Sequence, residues 1–239
     1  MELEHSHSHA AIATRIAKGQ KTSYIRDYVY GGIDGTITTF AIVAGVFGAA
    51  LSSNIILILG LANLLADGFS MAASNYSGTK TLIDDVDRIR KIEEKHIRLK
   101  PDGEKEEVRQ LLEKKGFEGK ALDETVAVIT SNKTVWVDFM LVEEYGFSLN
   151  QPSPFLSGLA TFVAFVICGS VPILPFVFDM KSAFYGSAIL TGTVFFIIGA
   201  AKSNWTMSPW WRSGLETFLI GSLAATAAFT VGYFLHGLA

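Results

Sequence analysis

The chain has 239 residues, of which 49% are hydrophobic and 18% are charged, and its formal net charge is −3. The single cysteine, Cys168, excludes an internal disulfide framework and a thiolate metal cluster, and no nucleic-acid partner is expected. The charged residues are unevenly placed, because 29 of them lie between residues 80 and 144 and only five lie between residues 155 and 239. This distribution predicts a membrane protein that is interrupted by one hydrophilic domain.

Residues 1–27 are predicted to form a polar tail on the cytosolic side. His5, His7 and His9 alternate with serine, a pattern that can hold a metal loosely but is more typical of a disordered tail. The basic residues that follow adjoin the first apolar run and favour a cytosolic N-terminus. The segment lacks the apolar core of a secretory signal, so no cleavable signal peptide is predicted.

Five apolar runs are long enough to cross a bilayer as helices. They are residues 28–50, 55–77, 155–177, 183–201 and 213–236. Pro172 and Pro175 are expected to distort or stop the third helix. Five spans put the two termini on opposite sides, and a cytosolic N-terminus then places 19 of the 20 Lys and Arg residues on the inner side.

The first two spans each carry one carboxylate, Asp34 in the first and Asp67 in the second. An ionisable group at the centre of a bilayer costs at least about 2.5 kcal/mol and is a candidate functional residue by default. Gly31 and Gly35 of the first span form a G-x-x-x-G motif, which lets helices approach closely. Asp34 is therefore expected at a helix–helix contact or a symmetry axis and not against lipid.

A polar stripe surrounds Asp67 in the second span. Asn63, Asp67, Met71 and Asn75 follow one another at i+4 spacing, so they share one face of the helix. Asparagine can form interhelical hydrogen bonds and methionine can fill gaps, and this structural interpretation is favoured for Asn75 alone. The oxygen and thioether donors of Asp67 and Met71 together favour a place in an ion path.

Residues 81–150 are predicted to form a cytosolic domain of three helices. The first continues the second span to residue 99, and Pro101 and Gly103 separate it from the second, with Asp102 placed as its cap. The third helix begins after Gly119. The predicted fold class is thus an all-α integral membrane protein with five transmembrane helices and one insert. Its segments are 1–27, 28–80, 81–150 and 151–239.

Each helix of the insert carries one pair of possible metal ligands at helical spacing. The pairs are Glu93 with His96, Glu104 with Glu107, and Met140 with Glu144. Carboxylate and imidazole suit Fe²⁺, Mn²⁺, Co²⁺ or Zn²⁺, and a thioether argues against a site tuned for Ca²⁺ or Mg²⁺. Acidic residues also complement the dipole of a first helical turn, so a solvated charged face is the alternative interpretation.

Three motifs and the Glu-rich insert carry a family resemblance: GGIDGTITT in the first span, ADGFSMAASNY in the second and FLSGLATFVAFVICGSVPILP in the third. On these residues the chain resembles the vacuolar iron transporter family, also called the calcium-cross-complementer group, from about residue 24 onward. The resemblance implies a homodimeric exchanger, not an enzyme, that moves Fe²⁺ and often Mn²⁺ out of the cytosol against protons. It also implies dimerisation through the first span and no permanently bound cofactor.

The resemblance further implies an ion path that uses Asp34 and Met71, and metal binding within the insert. The insert residues that match are Glu93, Glu104, Glu107, Met140 and Glu144. The destination membrane, a vacuole or the plasma membrane, depends on the organism.

Three positions depart from the family pattern. His96 stands where relatives commonly have a second Glu on the first helix of the insert, and Asn75 stands where many have a Glu. Asn63 lies near the position of an intramembrane Glu of some relatives, and Asp67, one turn further on, is expected to replace that carboxylate. These departures bear on the metal preference and on the proton stoichiometry.

Two rival functions are weighed against transport. Glu93 and His96 have the E-x-x-H spacing of ferritin-like di-iron sites, which predicts a membrane ferroxidase, but such sites need a second motif of this kind and the sequence has none. The other rival is a metal-responsive membrane scaffold that does not transport.

Overall fold

A computed structural model describes residues 6–19 and 22–236, which form helices and contain no strand within those ranges. His5 and the prediction made for it lie outside the described residues. The helices are α1 (His9–Lys18), α2 (Ile25–Gly48), α3 (Ser53–Leu99), α4 (Pro101–Lys114), α5 (Gly119–Thr130), α6 (Lys133–Glu143), α7 (Pro154–Ser170), α8 (Leu174–Val177), α9 (Ala183–Lys202) and α10 (Trp210–Leu235).

The chain divides into two compact units. One consists of Thr79–Pro152 together with α1, and the other consists of Ser23–Gly78 together with the helices that follow Pro152. Helix α3 supplies its first part to the second of these units and its last part to the first. Its unbroken course over 47 residues confirms that the first helix of the insert continues the second span.

Among the described residues, five helical stretches are long and apolar enough to cross a membrane, as the sequence predicted. They are Ile25–Gly48, Ser53–Leu99, Pro154–Val177, Ala183–Trp205 and Trp210–Leu235. The compact unit that consists of Ser23–Gly78 and the helices after Pro152 is called here the membrane unit. It is organised around α2, which packs against α7, α9 and α10.

The glycines of α2 make a backbone contact with α7 of the same chain. A β-carbon on Gly31 would collide with the backbone of Thr161, and one on Gly35 would collide with the backbone of Phe165. The G-x-x-x-G motif therefore brings two helices of one protomer together. The face that the sequence associated with a symmetry axis is occupied, at these two glycines, by α7.

The third span ends as its prolines predict. The α-helix stops at Ser170, a short 3₁₀ helix carries Pro172, and the four-residue helix α8 carries Pro175. Proline lacks a backbone N–H and cannot continue the α-helical hydrogen-bond pattern. The carbonyl of Pro172 instead accepts a hydrogen bond from the Ser187 hydroxyl at 2.6 Å, which ties this irregular segment to α9.

The insert contains one more helix than the sequence predicted, because the expected third helix is divided into α5 and α6. The Asn132 side chain accepts hydrogen bonds from the backbone N–H groups of Thr134 and Val135, at 2.9 and 3.3 Å, and so begins a new helix. Asp102 does not cap α4 as expected, because Pro101 is already the first helical residue. Asp102 lies within the first turn, where its charge complements the helix dipole.

The core of the insert is apolar and lies between α4, α5 and α6. Its buried members are Val108, Leu112, Leu122, Val126, Trp136 and Met140. A second cluster joins the last part of α3 to α6 through Val86, Ile89, Val137 and Leu141. These contacts hold α3, α4 and α6 against one another, which decides where their acidic side chains meet.

Candidate metal site and polar groups of the membrane unit

One predicted ligand pair and one member of a second meet in the insert. Glu93 and His96 on α3 and Glu104 on α4 offer ligand atoms that all lie within 4.8 Å of one another. The Nδ1 atom of His96 is 3.4 Å from an oxygen of Glu104 and 4.0 Å from an oxygen of Glu93. Carboxylate oxygens and an imidazole nitrogen at these separations form a donor set that suits a divalent transition metal.

The two carboxylates of this site are buried and incompletely paired. Glu93 is 1% exposed and Glu104 is 5% exposed. The Oε2 atom of each has no hydrogen-bond partner among the residues that the structure describes. A buried charged oxygen without a partner is costly, and a bound cation removes that cost. The residues present therefore fit a metal ion.

Glu107 and Glu144 extend the acidic cluster. Burial, followed by the charges of Glu107, Glu93 and Glu144, raises the pKa of Glu104 to about 7. Burial and the charges of Glu93 and Glu107 also raise the pKa of Glu144. Like charges held together in this way favour either a proton or a cation between them.

Tyr145 belongs to the same cluster and was missed by the sequence analysis. Its hydroxyl donates a hydrogen bond of 2.9 Å to Oε1 of Glu93. Burial and this bond raise the pKa of the Tyr145 hydroxyl. A hydrogen bond to one oxygen of a metal-binding carboxylate orients the other oxygen, which is the usual role of a residue that supports a ligand. Only its place directly after Glu144 could have drawn attention to Tyr145.

Met140 occupies a different environment. Its side chain is completely buried and packs in the apolar core with Val108, Leu112 and Trp136. This packing supplies the structural role that methionine often has. The assignment of Met140 as a thioether ligand stays a prediction.

Two other acids of the insert are paired with lysine, whereas no lysine or arginine of the described residues pairs with Glu93 or Glu104. Lys133 lies 3.2 Å from Glu94, and Lys115 lies 2.6 Å from Glu143. Each of these paired acids is the direct chain neighbour of a cluster member. They are therefore matched controls for experiments on the cluster.

In the membrane unit, polar side chains of α2 and α3 meet. Asp34 and Asp67 are both half-buried and lie close enough for their charges to interact. The side-chain amide of Asn63 donates a hydrogen bond of 3.1 Å to the Thr38 hydroxyl. Met71 is half-buried and packs beside Phe165, in the cluster between α3 and α7.

Asn75, the last residue of the polar stripe, lies in a separate hydrogen-bonded network. Its amide nitrogen is 2.9 Å from Oδ1 of Asp27, 2.7 Å from the Thr161 hydroxyl and 3.2 Å from the Ser157 carbonyl. Asp27 is 4% exposed. The network joins α2, α3 and α7 through neutral donors and one carboxylate.

Asp27 is the second residue that the sequence analysis missed, because residues 1–27 were assigned to the tail. Helix α2 begins at Ile25, so Asp27 lies in its first turn. Asp27 and Asp34 are seven residues apart, which puts them on one face of the helix two turns apart. That spacing could have identified Asp27 from the sequence as a residue of the same helix as Asp34.

Comparison with known proteins extends these observations. The VIT family profile matches residues 25–233. The chain is 35% identical to a protein named vacuolar iron transporter 1 from Eucalyptus grandis, over 86% of this chain and 84% of that protein. It is 34% identical to a protein of the same name from Arabidopsis thaliana, over 86% and 83% of the two chains. A vacuolar iron transporter from Toxoplasma gondii is 32% identical, over 90% and 75%.

Proposed function

Because this chain belongs to the VIT family, we propose that it exports Fe²⁺, and also Mn²⁺, from the cytosol in exchange for protons. Its relatives are named iron transporters, which supports transport of a metal ion. The observation that carries the mechanism is the pair of interacting carboxylates, Asp34 and Asp67, on two neighbouring candidate spans. Acidic groups in such apolar helices mark ion pathways and proton relays.

The first step of this mechanism is capture of the cation by the insert. Glu93, His96 and Glu104 supply the ligand atoms, and Glu107 and Glu144 add negative charge around them. The two unpartnered oxygens give the site its affinity, because a cation replaces repulsion between carboxylates with attraction. The captured ion then passes to the membrane helices.

The second step is exchange at Asp34 and Asp67, with the Met71 thioether as a softer ligand. Two carboxylates close together in an apolar surrounding repel each other unless a cation or a proton lies between them. Binding of the metal therefore displaces protons, and release of the metal on the far side lets protons return. One shared acidic pair in this way couples the two flows.

The same proposal includes topology and assembly. The N-terminus and the insert face the cytosol and the C-terminus faces the opposite side, in keeping with the distribution of Lys and Arg. Two copies associate through α2, which is the first transmembrane helix. Ala41 is a half-buried residue of α2 on the same helix face as Asp34. Ala41→Cys in a Cys168→Ser background would report this contact by forming a disulfide between two copies. Persistent monomers in the bilayer would exclude it.

The transport assay uses the full chain in proteoliposomes with an imposed pH gradient. We expect Fe²⁺ uptake that depends on the gradient and is accompanied by proton movement, and we expect Asp34→Asn to abolish both. Normal Fe²⁺ uptake by Asp34→Asn would disprove the exchange mechanism. Oxygen consumption on addition of Fe²⁺, without uptake, would favour an oxidase instead.

Asp179→Asn is the matched control for Asp34→Asn. Asp179 is an acid of the membrane unit and lies between α8 and α9. Its backbone has a positive φ of 48°, a conformation that asparagine tolerates. The substitution therefore removes one carboxylate without disturbing the backbone. Transport by this variant should equal that of the unmodified protein.

A further inference from the structure

His96 brings a nitrogen atom to a site whose other possible ligands are carboxylate oxygens. Its Nδ1 atom faces Glu104 at 3.4 Å and Glu93 at 4.0 Å. The His96 side chain is 50% exposed, so packing in an apolar core does not account for its position. The two acids that it faces are both more than nine-tenths buried and each keeps one unpartnered oxygen. The His96 ring therefore adds a nitrogen ligand to the carboxylate oxygens of Glu93 and Glu104, between which a cation would be stabilised.

The type of ligand affects which cation is bound. Imidazole suits Zn²⁺ and Fe²⁺, whereas carboxylate and water suit Mn²⁺, Mg²⁺ and Ca²⁺. A neutral imidazole adds no negative charge, so its contribution comes from the bond between metal and nitrogen and differs from one metal to the next. A carboxylate at the same position would attract all divalent cations more evenly.

We propose that His96 determines the metal preference of the insert, favouring Zn²⁺ and Fe²⁺ over Mn²⁺. This inference rests on the proposed function only in that the insert is taken as the capture site of a transporter. The preference itself is a property of binding and can be measured without transport. If the proposal is right, His96 alone selects the cation that the insert passes to the membrane helices.

The test uses the full-length protein, purified in detergent and freed of metal, near neutral pH. His5, His7 and His9 are replaced by serine in every variant, so that the N-terminal segment does not bind Zn²⁺. The affinity for Mn²⁺ is measured directly, and that for Zn²⁺ is measured by displacement of Mn²⁺. Electron spin echo modulation of the bound Mn²⁺ reports whether a nitrogen atom is coordinated. Circular dichroism confirms that each variant is folded.

His96→Glu should lower the ratio of Zn²⁺ to Mn²⁺ affinity by about tenfold or more, because even the loss of a residue that supports a ligand changes metal affinity by about 10- to 100-fold. His96→Gln should remove the nitrogen modulation. His236→Gln is the matched control, since the His236 ring lies 2.7 Å from the Ala49 carbonyl in the membrane unit. That variant should keep both the ratio and the modulation.

An unchanged ratio in His96→Glu, or persistent nitrogen modulation in His96→Gln, would overturn the inference. If Glu93→Gln nevertheless lowered the Zn²⁺ affinity by about 100-fold, the inference about His96 would be wrong but the capture step of the proposed function would stand. Absence of metal binding by the insert of the unsubstituted protein would overturn both the inference and the capture step. A shifted ratio in protein that does not transport would uphold the inference and disprove transport.

Discussion

Two regions of the molecule bury carboxylates to nearly the same extent and surround them in opposite ways. Glu93 in the insert is 1% exposed and Asp27 in the membrane unit is 4% exposed. Glu93 accepts one hydrogen bond from Tyr145 but keeps one unpartnered oxygen and faces further carboxylates. Asp27 instead accepts a hydrogen bond from Asn75 and has the Arg26 guanidinium 3.6 Å away. Burial of an acid therefore does not by itself mark an ion site. The groups that face its oxygens decide the matter.

This difference has a physical consequence for each region. The cluster in the insert keeps repulsion that a cation relieves, so the metal-free form is less stable than its packing allows. The network around Asp27 is satisfied without an ion and stabilises the contact of α2, α3 and α7. Substitutions in the insert cluster should consequently weaken metal binding, and substitutions in the Asp27 network should lower stability without affecting metal binding.

The largest effect is expected for Glu93→Gln. Removal of this ligand should lower the Zn²⁺ affinity of the insert by about 100-fold, at the upper end of the range for groups around a metal. The same change should raise the melting temperature of the metal-free protein, because one repelling charge is gone. Calorimetric titration and thermal unfolding in detergent measure the two effects.

Glu94→Gln is the control for this substitution, because Glu94 is the next residue and is paired with Lys133. It should leave the Zn²⁺ affinity nearly unchanged. A loss of affinity equal to that of Glu93→Gln would show that only the total charge of the insert matters. The contrast between paired and unpartnered acids would then be wrong.

A smaller effect with the opposite pattern is expected for Asp27→Ala. Loss of the hydrogen bond from Asn75 to this carboxylate should lower the free energy of unfolding by about 1.5–3 kcal/mol, the usual contribution of a hydrogen bond to a charged group. Metal binding to the insert should not change. Thermal unfolding in detergent gives the first quantity and Zn²⁺ titration gives the second.

Arg26→Ala serves as its control. Arg26 lies 3.6 Å from Asp27, but its side chain is 77% exposed, and surface ion pairs contribute about 0–1 kcal/mol. If Asp27→Ala were no more destabilising than Arg26→Ala, the hydrogen-bonded network would have little structural importance. Asp27 would then deserve study as part of the ion path.

The smallest effect concerns pH. The pKa of Glu104 is raised from 4.5 to about 7 in the folded protein, so the folded state binds a proton that the unfolded state has already released. This contribution to stability is complete below pH 4.5 and is lost as the pH rises through about 7. The melting temperature of the metal-free protein should fall over that interval.

Two comparisons check the origin of this pH dependence. Glu104→Gln should flatten the curve, because the titrating group is absent. Saturating Zn²⁺ should raise the melting temperature most at the alkaline end, where the cluster is ionised and repulsion is largest. A metal-free protein whose stability rises with pH across the interval would contradict the assignment to Glu104.

Local patterns in the sequence predicted the parts of the fold that depend on one segment at a time. The lengths and apolar character of the five spans, the continuation of α3 beyond the membrane run, and the irregular end near Pro172 and Pro175 were all confirmed. The break between α5 and α6 was missed, although Asn132 is a typical residue at the start of a helix. There the apolar character of the flanking residues obscured a local signal.

Helical spacing predicted part of the composition of the candidate site, whereas only the family resemblance implied that residues of different helices bind metal together. Helical spacing placed Glu93 beside His96 on one face of α3, because side chains three residues apart lie next to each other in any helix. No spacing within a helix indicated that Glu104 would face them from α4, or that Tyr145 would donate to Glu93. Those contacts follow from the packing of α3, α4 and α6 around their apolar residues.

The membrane acids show the same division. The sequence by itself determined that Asp34 and Asp67 lie in apolar helices and that Asp67 belongs to a polar stripe, since both facts follow from hydropathy and helical period. Only the tertiary structure decided that Gly31 and Gly35 contact α7, and that Asn75 satisfies Asp27. A residue's own helix fixes the direction of its side chain, but its partner is chosen by contacts between segments far apart in the chain.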